Sequence, residues 1–358
     1  MDDKNFDVSK LSQEELEKIA GGKLDRKFLS GTIAGLSLLT GSSALTQTSA
    51  AGNSHSTQSI SINQENPTPG TQNEERVVSE DGEYTFKDGK LTIFKGSVSN
   101  LIINSNIDKT KIQEVEICKD AYIGGWAFQG CTNLKKVEIE NGIEFIYECA
   151  FSGCHKLKEI NIPDSVVFIG GNAFSRCSSL EKIEIPDSID EIGNSFFNGC
   201  TSLKEIKISD NIIKIGENAF ENCTSLEKMN IPYSVTSIGK SAFKDCTNLK
   251  EVKIESDITD IDENVFKGCT NLQNIEIPDS VTSIKRWAFQ DCANLKEIKL
   301  PDNIRYIGYG AFKGCTNLKN ITAKPEMEYK LKRKIEKDIP NCKINGKELK
   351  DIKETSVK

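Results

Sequence analysis

A cysteine recurs every 23 residues through most of this chain, and that interval limits the possible folds more than any other feature. A phenylalanine stands three residues before each of these cysteines, and a leucine stands three residues after it. Because several columns of residues share one period, the chain contains internal repeats. We expect each repeat to form one coil and the coils to stack on one another. The cysteines of the column are Cys131, Cys154, Cys177, Cys200, Cys223, Cys246, Cys269, Cys292 and Cys315.

Each repeat reads Cys-x-x-Leu-x-x-Ile-x-Ile-Pro-Asp-x-Val-x-x-Ile-Gly-x-x-Ala-Phe-x-x. In one of them, the alternation of apolar residues from Leu180 to Ile185 predicts a short strand, which Pro186 ends. Residues 189–192 predict a second, shorter extended segment. We expect Gly193 to close that segment because the backbone there needs a positive φ.

A single repeat is not expected to fold alone. It has about six large apolar side chains, and burying them stabilises it by about 2 kcal/mol each, or roughly 12 kcal/mol. Ordering its backbone costs about 1 to 2 kcal/mol per residue, which is a larger sum. Stacked repeats bury each other's apolar faces, so the sequence predicts a β-rich solenoid of 23-residue coils.

The pattern Leu-x-x-Ile-x-Ile-Pro-Asp-Ser-Val-x-x-Ile-Gly-x-x-Ala-Phe-x-x-Cys resembles the BspA-type (Treponema pallidum-type) leucine-rich repeat, and the resemblance covers residues 112–323. It implies a leucine-rich-repeat array. It also implies a surface-exposed or secreted protein of bacteria or protists, of a kind associated with adhesion to host proteins, extracellular matrix or other cells. It supplies no catalytic residues. The first coil, from Ile112, keeps the pattern at a step of 22 and is predicted to be shortened.

Atypical segments flank the array and are predicted to cover the open ends of its core. In the N-terminal cap, residues 77–111, two apolar segments around Asp88-Gly89 predict a β-hairpin. In the C-terminal cap, residues 324–358, the charged segment from Pro325 to Ile339 predicts a helix. A further turn is expected after it.

Residues 1–22 resemble the double-glycine leaders of bacteriocin precursors, with Leu-Ser, Glu-Leu, Ile and then Gly21-Gly22 at the expected offsets. The resemblance implies cleavage after Gly22 by the peptidase domain of an export transporter. Because Gly21 and Gly22 lack side chains, a narrow protease cleft can close around the backbone. The alternative is an ordinary short amphipathic helix that ends at glycine.

Residues 23–51 have the layout of a secretory signal peptide: cations, an apolar stretch, and small residues up to Ala50. Glycine, serine and threonine interrupt the apolar stretch, so stable membrane insertion is not expected. Either signal leads out of the cytoplasm by way of an export transporter or other secretion machinery. Residues 52–76 are rich in Ser, Thr, Asn, Gln and Pro and are predicted to form a disordered linker.

Charge argues against nucleic acid as a partner. The chain has a formal net charge of −7 with Lys and Glu interleaved, which gives no extended basic field. The C-terminal cap is locally basic, with Lys330, Lys332, Arg333, Lys334 and Lys337 closely spaced. We interpret this cluster as the solvated face of a terminal helix, with an anion-binding patch as the alternative.

Three interpretations compete for the cysteine column. A metal site needs ligands that converge, which one cysteine per coil does not provide. Disulfides between neighbouring coils are harder to exclude because stacked strands lie about 4.8 Å apart, but parallel side chains keep their Cβ atoms wider apart than a bridge prefers. Buried thiols that act as small apolar groups fit every coil, and this is the interpretation we favour.

No catalytic set is apparent. The chain has two histidines, His55 in the linker and His155 in a column that otherwise holds mostly Thr or Ser. We find no pairing of Cys or Ser with His, no phosphate-binding loop and no paired-carboxylate motif. The sequence therefore predicts a protein that is not an enzyme and needs no cofactor.

Candidate ligand-binding residues are those that depart from an otherwise polar outward column. Phe145 and Phe168 occupy one column where most other coils place Ser, Asp or Lys, and Val167 and Ile213 lie in the neighbouring column. Such an apolar cluster predicts a partner site, unless the N-terminal cap covers it. Trp126 and Trp287 share another column and are candidate anchors, with local packing as the favoured alternative.

These features predict a secreted or cell-surface, adhesin-like protein that binds a host or microbial protein or glycan through its solenoid surface. A bacteriocin-like secreted antagonist, exported by a peptidase-containing transporter, is the alternative, and its support is the double-glycine leader. An enzyme is a distant third possibility.

Overall fold

The structure is a computed structural model that describes residues 58–60 and 76–354. These residues belong to one compact unit, Thr57–Lys358. The predicted leader and signal segment, with Gly21, Gly22 and Ala50, lie outside the described residues, as does most of the predicted linker. Among the helices of the described ranges, none has the length and apolar character needed to cross a bilayer.

Four antiparallel strands precede the array. They are β1 (Gln58–Ile60), β2 (Arg76–Ser79), β3 (Gly82–Lys87) and β4 (Lys90–Ser97). The predicted hairpin is β3–β4, whose two turn residues, Asp88 and Gly89, have φ values of 50° and 85°. Two successive positive φ angles match the right-handed twist of the paired strands.

A short helix, α1 (Val98–Asn104), follows β4 and buries Val98, Leu101 and Ile102. It begins at Ser97, whose side chain accepts a hydrogen bond from the backbone N–H of Asn100. A 3-10 turn at Lys109–Lys111 then leads into the first coil. The hairpin and α1 thus lie against the N-terminal end of the repeat core.

The first strand of most coils pairs in parallel with the equivalent strand of a neighbouring coil, although residues 159–162 form no strand and the pairing is interrupted after Glu205–Lys207 and after Asn274–Glu276. Ile183 pairs with Ile206 and Val252 with Ile275, which is the register that a 23-residue period predicts. The predicted shortening of the first coil is confirmed, because Val115 pairs with Val137. These strands are Glu114–Tyr122, Lys136–Ile139, Lys182–Glu184, Glu205–Lys207, Lys228–Ile231, Glu251–Ile254, Asn274–Glu276, Glu297–Lys299 and Asn320–Thr322.

The second strand column consists of two-residue strands, each with one outward and one buried residue. Most successive members pair in parallel, as Phe145 does with Phe168 and Ile146 with Ile169, with interruptions after Phe168–Ile169 and after Ser237–Ile238. An isolated bridge between Ile123 and Ile146 extends the column to the first coil. The strands are Phe145–Ile146, Phe168–Ile169, Glu191–Ile192, Lys214–Ile215, Ser237–Ile238, Asp260–Ile261, Ser283–Ile284 and Tyr306–Ile307.

Phenylalanine rings stack through the centre of the array. From Phe128 to Phe312 the rings of successive coils lie 5.2 to 5.9 Å apart, centroid to centroid. The leucine, isoleucine and cysteine columns surround them, and the phenylalanines, leucines and cysteines of the column are almost fully buried. The predicted β-rich solenoid is confirmed, and its core runs along the whole array.

All twelve cysteines are free thiols. From Cys154 to Cys315, each thiol of the column donates a hydrogen bond of 3.0 to 3.3 Å to the carbonyl oxygen of the phenylalanine 26 residues earlier. A cysteine therefore fills a small apolar site and also donates a second hydrogen bond to a buried carbonyl oxygen of the preceding coil. This second role explains why cysteine recurs where alanine or valine would supply apolar volume alone.

The expected positive φ at Gly193 is wrong. The left-handed residue of that turn is Ser195, with φ 52°, and Trp126 and Trp287 stand at the same column with φ 56°. The glycine column lies two residues earlier, and the backbone of the preceding coil approaches it closely at Gly170, Gly216, Gly239 and Gly308. A Cβ added at Gly239 would lie 2.6 Å from the backbone nitrogen of Glu217 in the preceding coil, which is too short for a real contact.

The C-terminal cap consists of a 3-10 turn (Pro325–Met327), the helix α2 (Glu328–Ile335), a hairpin and a final 3-10 turn (Leu349–Asp351). The two strands of the hairpin are Lys343–Ile344 and Lys347–Glu348, and Ile344 continues the array by pairing with Ile321. The helix ends four residues before the predicted Ile339. The buried Glu328 side chain joins helix to hairpin by accepting hydrogen bonds from Asn345 and Lys347 at 2.7 and 2.9 Å.

Candidate functional site

An aromatic cluster lies on the second strand column at the N-terminal end of the array. Phe145 and Phe168 are register partners in adjacent coils, and the Ile123–Ile146 bridge places Tyr122 in the same column one coil earlier. Three successive coils thus carry an outward aromatic ring at one position. The next five coils carry Glu191, Lys214, Ser237, Asp260 and Ser283 there.

Tyr147 connects the two phenylalanines. Its ring centroid lies 6.2 Å from that of Phe145, in a tilted arrangement, and 6.2 Å from that of Phe168, edge to face. Aromatic pairs at such separations attract each other beyond their apolar burial. We name the surface formed by Tyr122, Phe145, Tyr147, Val167 and Phe168 the aromatic patch.

Sequence reasoning missed two members of the aromatic patch. Tyr122 precedes Phe145 by one period, and it could have been found by extending the column into the shortened first coil. Tyr147 precedes Gly170 by one period and takes a position that is glycine in most coils. A tyrosine at a position where most coils have glycine could have identified this residue from the sequence.

The patch is accessible in spite of the nearby cap helix. Ser99 of α1 donates a 3.0 Å hydrogen bond to the carbonyl oxygen of Gly125, which holds the helix against the first coil. Tyr122, Val167 and Phe168 nevertheless remain 44%, 52% and 47% exposed, and Phe145 is half-buried. The rings are therefore held by neighbouring side chains while their faces reach solvent.

The hydroxyl group of Tyr147 stays protonated over an extended pH range. Partial burial raises its pKa above the usual value for a tyrosine, and the charge of Glu148 and the proximity of Tyr122 raise it further. The patch therefore offers apolar ring faces together with a neutral phenol that can donate a hydrogen bond. Buried or partly buried tyrosines at interfaces commonly combine these two properties.

The other candidate residues lie away from the patch or pack locally. Ile213 is 49% exposed, but it is two coils from Val167, and Asp190 occupies the position between them. Trp287 is half-buried against the next coil, where a Cβ added at Gly310 would lie 2.7 Å from its ring. Trp126 is 38% exposed and lies seven periods from Trp287.

The described residues show little that could support a reaction. They contain no group of three or more His, Cys, Asp or Glu side chains able to hold a metal ion. The exposed His155 has its Nδ1 atom 3.0 Å from the carbonyl oxygen of Arg176 in the next coil, so it serves as one more contact between coils.

A family comparison agrees with this architecture. The model of the BspA type leucine rich repeat region matches residues 121–250 and 236–337, in six copies. Together the two segments span more than half of the 358 residues. The chain belongs to the BspA-type leucine-rich-repeat family. The resemblance seen in the sequence is thereby confirmed for the array, whereas the double-glycine leader stays a prediction.

Solved structures of other leucine-rich-repeat proteins are similar to this BspA-type chain. The Treponema pallidum leucine-rich-repeat protein is 26% identical, with 67% of this chain and 88% of that chain covered and a TM-score of 0.41. A leucine-rich cell surface protein from Faecalibacterium prausnitzii is 23% identical, with coverage of 74% and 96% and a TM-score of 0.36. A leucine-rich-repeat protein from Eubacterium ventriosum is 22% identical, with coverage of 67% and 88% and a TM-score of 0.40. A search of curated proteins found no match.

Proposed function

We propose that this BspA-type protein is an exported, adhesin-like binding protein that holds an extracellular host or microbial protein at its aromatic patch. The observation that carries the proposal is the column Tyr122–Phe145–Phe168, where three successive aromatic rings face outward and the next five coils place charged or small hydroxyl side chains. Nothing in the repeat core requires rings there, because the core is already filled by the buried phenylalanine column.

An apolar surface of this kind favours a protein ligand. Exposed aromatic residues that neighbouring side chains hold in place lose little conformational freedom on binding, and they dominate many protein interfaces. The phenol of Tyr147 and the exposed carboxylate of Glu144 supply polar groups at the edge of the patch. An apolar centre with a polar rim is the usual composition of such a site.

Export is the second part of the proposal and rests on the sequence of residues 1–51. The secreted form is expected to begin at Lys23 if the double-glycine leader is cleaved, or near Ala51 if the signal peptide is cleaved instead. N-terminal mass analysis of protein from culture supernatant distinguishes these two forms. Recovery of only the intact chain, from the cytoplasm, would contradict both.

A bacteriocin-like antagonist remains the alternative function, and finding a peptidase-containing transporter and a small immunity protein encoded nearby would favour it.

The binding site is tested by a pull-down of host and bacterial surface proteins on the full chain, followed by affinity measurements on the captured protein. The variant Phe145→Ser/Phe168→Ser removes two rings of the patch and introduces the residue that this column uses at Ser237 and Ser283. Loss of two interface anchors should weaken binding by about 2 kcal/mol or more, which is about thirtyfold. Tyr233→Ser is the matched control, since Tyr233 is an aromatic residue 70% exposed outside the patch.

The stability of the double variant separates binding from folding. Phe168 is exposed, and its replacement should change the free energy of unfolding by at most about 0.5 kcal/mol, with a larger loss of about 1 kcal/mol at the half-buried Phe145. A variant that melts far below the parent would show that the rings belong to the scaffold. A variant that melts normally and binds as tightly as the parent would place the site on another surface.

A further inference from the structure

We propose that a cleft at the C-terminal end of the array is a second binding site and takes a short acidic glycan, one that bears several sulfate or carboxylate groups. The cleft has a volume of about 590 Å³ and lies between the second strand column of the last coil and α2. Arg305, Tyr306 and Tyr309 line it from the coil, and Lys330, Arg333 and Lys334 line it from the helix.

The cleft is strongly positive on a protein that is negative overall. Five cations line it against one carboxylate, that of Asp338. Among the described residues, none of the five forms an ion pair with an acidic side chain, whereas many lysines elsewhere on the array pair with a glutamate one coil away. The five cations are Arg305, Lys330, Arg333, Lys334 and Lys337.

The helix dipole accounts for only part of this charge. Arg333 and Lys334 lie in the last turn of α2, where cations are favoured by the partial negative charge of the helix end. That effect does not reach Arg305, which belongs to the array. The three preceding coils carry Thr236, Thr259 and Thr282 in the column of Arg305. Arg305 is therefore a cation in a column that is threonine in the three preceding coils, and it lies where the array faces the basic helix α2.

Two exposed tyrosines complete the cleft. Tyr306 is 48% exposed and Tyr309 is 64% exposed, and both line the cleft together with Arg305. The positions one coil earlier hold Ser283 and Arg286. Flat aromatic faces can pack against the C–H faces of a sugar ring, while the cations contact its acidic groups by charge-assisted hydrogen bonds.

The dimensions favour a short glycan over a long polymer. Clefts of about 300 to 1,000 Å³ accommodate small ligands, and this one falls in that range. A nucleic-acid strand tracks an extended basic groove, but beyond the cleft this chain returns to mixed charge with an overall value of −7.

The cleft is separate from the aromatic patch. Tyr306 and Phe168 occupy the same column six coils apart, and at about 4.8 Å per coil the two sites are separated by about 29 Å. A glycan in the cleft would therefore leave the patch free for a protein ligand. The two sites are also independent in their tests.

Isothermal titration calorimetry of the full chain with a heparin-derived tetrasaccharide tests the proposal, with neutral chitotetraose as the comparison ligand. We expect the sulfated tetrasaccharide to bind, the neutral one not to bind, and the affinity to fall as salt is added. Arg333→Gln/Lys334→Gln should weaken binding about tenfold, because two exposed cations that would contact the acidic groups are removed. Tyr309→Ala should also weaken it, through loss of the ring contact.

Two control variants make the result specific. Lys324→Gln/Lys350→Gln removes the same charge from exposed positions of the C-terminal cap outside the cleft, and should leave the affinity unchanged within about twofold. Phe145→Ser/Phe168→Ser should bind the tetrasaccharide as the parent does. Failure of the aromatic patch as a protein site would thus be distinguished from failure of the cleft.

Four outcomes would overturn the proposal. The first is no binding of the tetrasaccharide, and the second is equal weakening by the cleft variant and its charge-matched control. The third is tighter binding of an octamer of thymidylate than of the tetrasaccharide, which would assign the cleft to single-stranded nucleic acid. The fourth is capture by vesicles that contain phosphatidylglycerol without binding of the soluble glycan, which would assign it to a lipid surface.

Discussion

The thiol of Cys246 donates a 3.0 Å hydrogen bond to the carbonyl oxygen of Phe220, which lies in the preceding coil. The same carbonyl oxygen accepts the backbone N–H of Cys223 at 3.1 Å. Each cysteine of the column therefore joins its own coil to the one before it, at the point where the phenylalanine ring enters the core. The column forms hydrogen bonds between coils without covalent links.

Thiol reactivity should report this arrangement directly. We expect the denatured, unreduced protein to react with close to twelve equivalents of a thiol reagent, because all twelve cysteines are free. In the folded protein only Cys118 and Cys149, which are partly exposed, should react, and they should react more slowly than a free cysteine because burial raises the pKa of both thiols. Replacing both by Ser should abolish the reaction of the folded protein. A count of four or fewer after denaturation would instead show that disulfides link the coils.

Stability should fall steeply at alkaline pH. Burial raises the pKa of Cys177 to about 12, and burial likewise raises that of Cys315 to about 12. In the unfolded chain thiols lose their protons near pH 8.5, while in the folded protein they keep them, so proton release favours unfolding between about pH 8.5 and 12. Each such thiol should lower the free energy of unfolding by about 1.4 kcal/mol per pH unit in that window, with no effect below it.

Urea unfolding at pH 8, 9 and 10 measures this dependence. The variant Cys177→Ala removes one buried thiol, and its free energy of unfolding should fall less steeply than that of the parent by about 1.4 kcal/mol per pH unit. At pH 7 the same variant should be less stable, because it leaves a small cavity and loses a hydrogen bond. Equal slopes for parent and variant would show that the thiol does not titrate as its burial predicts.

The glycine column should tolerate no side chain where the preceding coil approaches closely. Gly239→Ala places a Cβ atom 2.6 Å from the backbone nitrogen of Glu217, so two coils must move apart, and we expect a loss of about 2 to 3 kcal/mol of stability. Lys285→Ala is the matched control, since its coil already accommodates a Cβ at the same column. That control should lose at most about 1 kcal/mol, from the ion pair with Asp262. Equal thermal melting of the two variants would contradict this explanation.

Tyr147→Gly restores the residue that most coils use and should leave the array folded. It removes the ring between Phe145 and Phe168, so the two phenylalanines lose the partner that orients them. We expect a loss of stability of about 1 kcal/mol and weaker binding of any protein captured by the aromatic patch. Tyr147→Phe keeps the ring and should retain the affinity if the apolar face rather than the hydroxyl group makes the contact. A Gly variant that binds like the parent would show that Tyr147 lies outside the site.

The sequence by itself determined the array. A strict period sets which residues pair, because each coil repeats the path of the one before it, and so the pairing of Phe145 with Phe168 could be predicted from spacing alone. Burial of the Phe, Leu and Cys columns followed from the same period. The N-terminal hairpin was also predictable, since Asp88-Gly89 is a local turn signal that needs no distant contact.

Only the tertiary structure decided the contacts that the period does not specify. The need for glycine at Gly239 arises from the approach of another coil's backbone, which periodicity does not measure. Tyr147 joins the aromatic patch through the directions of side chains in neighbouring coils. The basic residues of α2 form a cleft because the chain after the array turns back onto Arg305 and Tyr306. That turn depends on non-repeating contacts such as those of Glu328 with Asn345 and Lys347, and no column of the repeat specifies them.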